Sequence, residues 1–249
     1  MSLEKLQEHR RIWNAKPVLA DVYAVWFRQL VARAAGGQRV LEIGAGPGLL
    51  SEWARRERPD LRWIATDILS APWNDLAADA SALPLGPASV DMVTGLDVLH
   101  HLGRPRDFFV EAARVLRPGG RIVLVEPWVT PLSYPIYRFA HQEGCTLGID
   151  PWQPFAAGKD AFDGDGALPW RIVRSTPAPE WRGLGLAPPE VVTANGFAYV
   201  MTLGFKPASL LPRGLAGVLL RIDEALRGMS RWTGMRALLA WERLPQART

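Results

Sequence analysis

The chain has 249 residues, enough for one α/β domain with additions and a full core. With 48 % hydrophobic and 22 % charged residues it is composed like an ordinary globular protein, which excludes a disordered or fibrous chain. The single cysteine, Cys145, excludes a disulfide framework and a Cys-rich metal site and reads as a spectator thiol in a reducing compartment. No apolar run approaches the ~18 residues of a membrane span. The polar start from Met1 to Arg11, with Glu4 and Glu8, does not read as a signal peptide, so a cytoplasmic protein is expected. The net charge of +4 is uneven: from Lys206 to Thr249 eight basic residues face three acidic ones.

In chain order, Leu3 to Asn14 reads as a short helix. Pro17 opens a second, with Val18, Val22, Trp26 and Leu30 on one face, and Gly36-Gly37 ends it. Residues 1–37 are expected to form a helical cap and 38–249 the main domain. Val40-Leu41-Glu42-Ile43 runs into Gly44-Ala45-Gly46-Pro47-Gly48, and Leu49 to Arg56 can form a helix. This is the pattern of a buried parallel strand, a tight turn and a helix N-terminus. A dinucleotide-binding turn would carry its third glycine where Leu49 stands, and a P-loop would need a lysine. Glu42 would repel a diphosphate and attract an ammonium group. Trp63 to Asp67 is a second strand ending in an acid that can accept ribose hydroxyls. Leu76 to Pro84 is a third segment carrying Asp79-Ala80, and Val90 to Thr94 a fourth strand. Arg114 to Glu126 is a helix end, a Pro-Gly-Gly stop and a fifth strand. The alternation predicts a parallel sheet with helices on both faces. Glu42, Asp67, Asp79, Gly95 and Glu126 then gather at the strand ends, where such sheets bind ligands.

From Arg39 to Pro127 this succession resembles the class I S-adenosylmethionine-dependent methyltransferases of the small-molecule, type 11-like kind. The resemblance implies a Rossmann-like, doubly wound seven-stranded sheet with its last strand antiparallel, an N-terminal helical cap and an insert after the fifth strand. It implies S-adenosyl-L-methionine as cofactor and S-adenosyl-L-homocysteine as product. Gly44, Ala45, Gly46 and Gly48 would form the turn under the methionine part, and Glu42 would support that turn and the ammonium. Asp67, with Ile68 beside it, would hold the ribose hydroxyls. Asp79 and Ala80 would face the adenine, and Leu96 or Asp97 would pass near the methionine end. The leading helices would pack over the cofactor mouth, making Tyr23 a cofactor contact and His9, Trp13 and Lys16 pocket candidates.

Leu96 to Leu102 contains His100-His101. Neighbours in a helix or strand point in different directions and no second pair stands at ligand spacing, so no metal is expected there. The run from Asp160 to Gly166 lacks the EF-hand pattern and is not read as a calcium site. A neutral His100 or His101 near the sulfonium is instead a candidate general base. Pro127 to Pro189 holds ten of the 21 prolines and four tryptophans, a density read as excluding regular helix through most of it. It is expected to be an acceptor-side insert or lid. Within it Ser133 to Glu143 can form one short helix, with Tyr137 and His141 on one face. His141 and Glu143 are candidate acceptor-side bases.

Glu190 to Ala194 and Met235 to Glu242 read as strands. Between them Leu215, Val218, Leu219, Ile222, Leu226 and Met229 define an amphipathic helix with Arg221, Arg227 and Arg231 off the stripe. It is expected to pack on the sheet with a solvated basic face, or else to lie on an anionic membrane through residues 213–231 or to grip an amphiphilic acceptor. The function expected is in-line methyl transfer to O, N or C of an apolar or amphiphilic, even lipid-like, small-molecule acceptor. A nucleic-acid methyltransferase is the alternative, disfavoured because positive charge is confined to one C-terminal stretch; no nucleic-acid partner is expected. A non-catalytic cofactor-binding protein is the rival from another class. Oligomeric state is not legible.

Overall fold

The computed structural model describes residues 2–139, 143–155 and 163–245. The elements, in chain order, are α1 (Leu3–Ala15), α2 (Pro17–Val31), β1 (Arg39–Glu42), α3 (Leu49–Glu57), β2 (Arg62–Asp67), β3 (Leu76–Ala77), β4 (Val90–Leu96), α4 (Pro105–Val115) and β5 (Leu116–Pro127). They continue as α5 (Ser133–Phe139), α6 (Leu168–Ser175), α7 (Ala178–Gly183), β6 (Glu190–Ala194), α8 (Phe197–Thr202), α9 (Arg213–Ala225), α10 (Ser230–Thr233) and β7 (Arg236–Glu242).

The strands form one seven-stranded sheet in the order β3-β2-β1-β4-β5-β7-β6. The last strand, β7, runs antiparallel to both neighbours and every other pairing is parallel. This is the doubly wound Rossmann-like architecture expected. The chain builds outward from β1 to β3, then returns to place β4 on the other side of β1. The gap between the carboxyl ends of β1 and β4 is therefore the switch point where a ligand can enter.

Strand alternation divides the core. Val40, Met92, Val123, Val125 and Leu238 face α2, α3 and α8. Leu41, Val93, Ile122, Leu124 and Trp241 face α4, α6 and α7. Because α2 carries Leu19, Trp26, Phe27 and Leu30 into the first layer, the N-terminal helices share a core with the sheet.

Three expectations change. The Pro-Gly-Gly segment is not a stop before β5. Leu116 already pairs with Val90 and Arg121 with Met92, so residues 117–120 form a bulge inside the pairing. The proline-rich insert contains α6 and α7, each with a proline in its first turn, where the missing N–H has no helical partner to lose. Its tryptophans serve mainly the core: Trp152 and Trp181 cluster with Phe109 and Trp241 at centroid separations of 5.0–5.9 Å. Finally, α9 packs through Ala216 and only part of its apolar stripe, Leu219, while Leu215, Val218 and Ile222 face solvent.

Candidate functional site

The glycine turn after β1 is held from both sides. Gly44 has φ +59°, and a Cβ there would lie 2.3 Å from Val98 Cγ2, so only glycine fits against the segment after β4. On the other side the Trp73 indole donates to the Gly46 carbonyl at 2.7 Å. Arg10 of α1 donates to the Pro47 carbonyl at 2.6 Å and stacks over Trp73 at 4.7 Å. Gly48 closes the turn as the left-handed N-cap of α3.

Glu42 ends β1 buried. Its Oε2 accepts from the Trp63 indole at 2.7 Å rather than from the turn. Burial pushes its carboxyl up to about 8, against the lowering effect of that hydrogen bond. At neutral pH this group is largely protonated. Asp67 ends β2 with Oδ2 accepting from Gly46 N at 2.8 Å and Oδ1 from Leu69 N at 2.9 Å. Burial raises it, while the two backbone donors pull it back. Asp79 stands at the rim, accepting from Ser81 N at 2.8 Å and pairing with Arg104 at 3.2 Å. Burial would raise its carboxyl, but the Ser81 hydrogen bonds and the Arg104 charge outweigh that and hold it below its ordinary value.

These groups line one cavity of about 520 Å³, which continues past Leu96 to a second cluster. There His100, 2 % exposed, bridges two carboxylates: Nδ1 to Glu126 Oε2 at 2.6 Å and Nε2 to Glu143 Oε2 at 3.1 Å. Glu126 is fixed in turn by N–H donors of Val98 and Leu99 at 3.0 and 2.8 Å. Burial alone would lower His100, but the two carboxylates overcome it and push the ring up to about 10. It is an imidazolium donating from both nitrogens. His101, its ring centroid 4.1 Å away, is pushed down to about 4 by burial and by the His100 charge. Its Nε2 lies 3.7 Å from Glu143 Oε1. Gly164 covers both rings; a Cβ there would meet His101 Nδ1 at 2.8 Å.

The floor of this end is an ion pair between buried Arg236 and partly exposed Asp97. Arg236 meets Asp97 at 2.6 Å and stacks over Trp26 and Tyr199 at 4.3 and 5.5 Å. Asp97 holds φ +55°, a conformation a non-glycine residue keeps only where the surroundings impose it. Tyr137 and Phe155 of the insert, and Tyr199 and Phe205 from the C-terminal half, complete the wall.

Residues 41–124 match a family described as a methyltransferase domain. The malonyl-[acyl-carrier protein] O-methyltransferase of Hahella chejuensis is 34 % identical over 98 residues, covering 34 % of this chain and 35 % of the relative. A ubiquinone/menaquinone biosynthesis C-methyltransferase of Dinoroseobacter shibae is 32 % identical over 150 residues, covering 52 % and 56 %. A solved S-adenosylmethionine-dependent methyltransferase from Archaeoglobus fulgidus shares the fold over 89 % of this chain and 93 % of its own, at 16 % identity and a TM-score of 0.53. Residues 41–124 are a methyltransferase domain of the class I S-adenosylmethionine-dependent kind. The chain spans between a third and little more than half the length of these two curated relatives.

In this methyltransferase domain the cavity collects Glu42, Gly44, Ala45, Gly46, Asp67, Ile68, Asp79, Ala80, Leu96 and Tyr23, all expected on the cofactor side. Gly48 supports the turn from outside that lining. His9 reaches the cavity, stacked on Phe205 at 4.5 Å. Trp13 instead packs edge-on to Tyr23, outside the lining. Lys16 is also elsewhere: its ammonium is surrounded by the carbonyls of Thr202, Gly204, Lys206 and Ala208 at 2.5–3.1 Å. It thereby pins the segment that carries Phe205. His141 lies outside the described residues, whereas Glu143, His100 and His101 converge.

Contrary to the expectation for neighbours, the two histidine rings face one another, and a 3₁₀ turn at Leu99–His101 is the reason. Ligand atoms of His100, His101 and Glu143, and of Asp97, His100 and Glu126, lie within 4.8 Å of one another. A metal there would have to displace the protons that His100 donates to the two carboxylates. Arg236, Tyr199 and Phe205 were missed because they lie in the C-terminal half, where no motif marks them; only the left-handed Asp97 and its need for a cation could have pointed there.

Proposed function

We propose that this protein transfers a methyl group from S-adenosyl-L-methionine to a small-molecule acceptor, leaving S-adenosyl-L-homocysteine. The observation that carries the reading is the single cavity joining the glycine turn, Asp67 and Asp79 to the cluster around Glu143. The donor set suits the cofactor. Asp67 presents a buried carboxylate for a diol, Asp79 an acceptor for an exocyclic amine, and no lysine stands where a diphosphate would need one. Bound there, the cofactor supplies a methyl group already activated on a positively charged sulfur.

The chain's own residues contribute alignment and a proton acceptor. Tyr23, Phe27 and Phe205 exclude water from the cavity wall. His100 carries a proton on each nitrogen, so it accepts none. It acts as a positioning residue that holds Glu143 Oε2, and Glu126 holds His100. Glu143 is then the base for a hydroxyl acceptor: its carboxylate takes the hydroxyl proton and so frees the oxygen to receive the methyl group that the bound cofactor would supply, the sulfur leaving as S-adenosyl-L-homocysteine. The acceptor class is amphiphilic, because its polar end meets Glu143 and Asp97 while Phe155, Tyr137 and Tyr199 surround the rest. Residues 1–37 act as the cap and 127–189 as the acceptor-side insert of this one site.

Calorimetric titration with S-adenosylmethionine and S-adenosylhomocysteine tests the cofactor half. The expected result is micromolar binding that weakens about tenfold, or about 1.4 kcal/mol, in Asp67→Ala. No binding to a folded wild type would overturn the reading.

A further inference from the structure

Leu215, Val218 and Ile222 recur at i, i+3 and i+7 on one face of α9. That face is turned to solvent: the three are 55, 44 and 44 % exposed. The helix rests instead on Ala216, with Leu219 and Leu220 partly packed on the core. Leu210 before it, and Met229 and Trp232 after it, extend the exposed apolar residues at 62, 52 and 55 %. An amphipathic helix placed only to stabilise the fold would turn this stripe inward. Its outward placement marks an interaction surface.

The charge around the stripe says what covers it. Arg213, Arg221, Arg227 and Arg231 are all exposed, Arg213 paired with Asp21 of α2 at 3.0 Å. Of the segment's two acids, Asp223 is turned inward to accept from Phe197 N and Ala198 N at 3.1 Å each, leaving Glu224 beside Arg227. An apolar strip bordered by guanidinium groups complements an anionic lipid surface. Acyl chains receive the leucines, and phosphates meet the arginines. A second copy of the chain on the same face would oppose arginine to arginine across a two-fold axis. Among the described residues no helix is long and apolar enough to cross a membrane, so the contact is peripheral.

We propose that residues 210–232 dock this protein on an anionic phospholipid surface. The docking stands on the surface alone. α9 packs beside α8, whose Tyr199 lines the cavity. Resting on the proposed function, this places the acceptor end next to the bilayer and makes a membrane-partitioned amphiphile the acceptor class.

The test is co-sedimentation of the full chain with phosphatidylcholine vesicles and with vesicles containing about one-third phosphatidylglycerol. The expected result is binding to the anionic vesicles alone. Ile222→Glu lowers the partition coefficient about tenfold or more. The triple change Arg221→Gln, Arg227→Gln, Arg231→Gln lowers it on the order of a hundredfold. Both variants alter exposed side chains and should keep wild-type near-ultraviolet circular dichroism. Failure of wild type to bind anionic vesicles, equal binding to neutral ones, or binding indifferent to Ile222→Glu would each overturn the proposal. So would a concentration-dependent dimer that Ile222→Glu dissolves, which gives the face to a second copy. S-adenosylmethionine titration on the same samples reports separately on the methyl-transfer reading.

Discussion

The two ends of the cavity are built by different means. At the cofactor end the groups come from consecutive strand ends, and short loops tie them together: Asp67 reaches Gly46 N, and Trp73 reaches the Gly46 carbonyl. At the acceptor end every important contact spans the chain. Glu126 of β5 orients His100, Glu143 of the insert completes the triad, and Arg236 of β7 neutralises Asp97. The first end is a backbone device that tolerates little change of shape. The second is a network of buried charges, sensitive to the loss of any one partner because an unpaired buried charge is expensive.

The comparison is tested most sharply by Glu143→Gln. Under the proposed role it lowers kcat for a hydroxyl acceptor by 10²- to 10⁴-fold, the usual worth of a general base, with S-adenosylmethionine affinity unchanged in calorimetry. An equal loss of cofactor affinity would mean that the two ends are not separate. Arg236→Met should destabilise by about 1–3 kcal/mol in urea unfolding, since Asp97, a quarter exposed, loses its buried counter-charge. Asp97→Asn in that background should recover part of the loss.

Titration gives a signed effect. His100 is raised to about 10 in the folded protein. Its stabilisation is therefore complete below about 6.5, its unfolded value, and is lost as pH rises through about 10. The difference in unfolding free energy between wild type and His100→Gln should close across that window. His101 has the opposite sign. Held down to about 4, it contributes stability above about 6.5 that is lost as pH falls through about 4. The smallest effect belongs to Asp79→Ala at the rim. It should weaken cofactor binding by less than tenfold, with stability unchanged within about 0.5 kcal/mol in thermal unfolding, because its pairing with Arg104 is exposed.

The cofactor end was legible in the sequence for the same reason that it is rigid. Glycines at alternate positions, a strand and an acid twenty-odd residues later are local patterns, and β-α alternation leaves few topologies. The seven strands and the antiparallel β7 were expected from the family resemblance. Expectations failed where a local rule met a tertiary contact. Adjacent histidines should diverge, but a 3₁₀ turn under Gly164 brings their rings together. Prolines should break the insert, but two of them start helices. Lys16 looked like a pocket residue, but four carbonyls capture it.

The sequence by itself determined the strands, the turns between them and the acids at the strand ends, because hydrophobic period and turn chemistry act over a few neighbouring residues. Only the tertiary structure decided the protonation of His100 and His101, the role of Glu143 and the outward face of α9. Those depend on burial and on charges from distant elements, and no local pattern records which residues will share a low-dielectric interior.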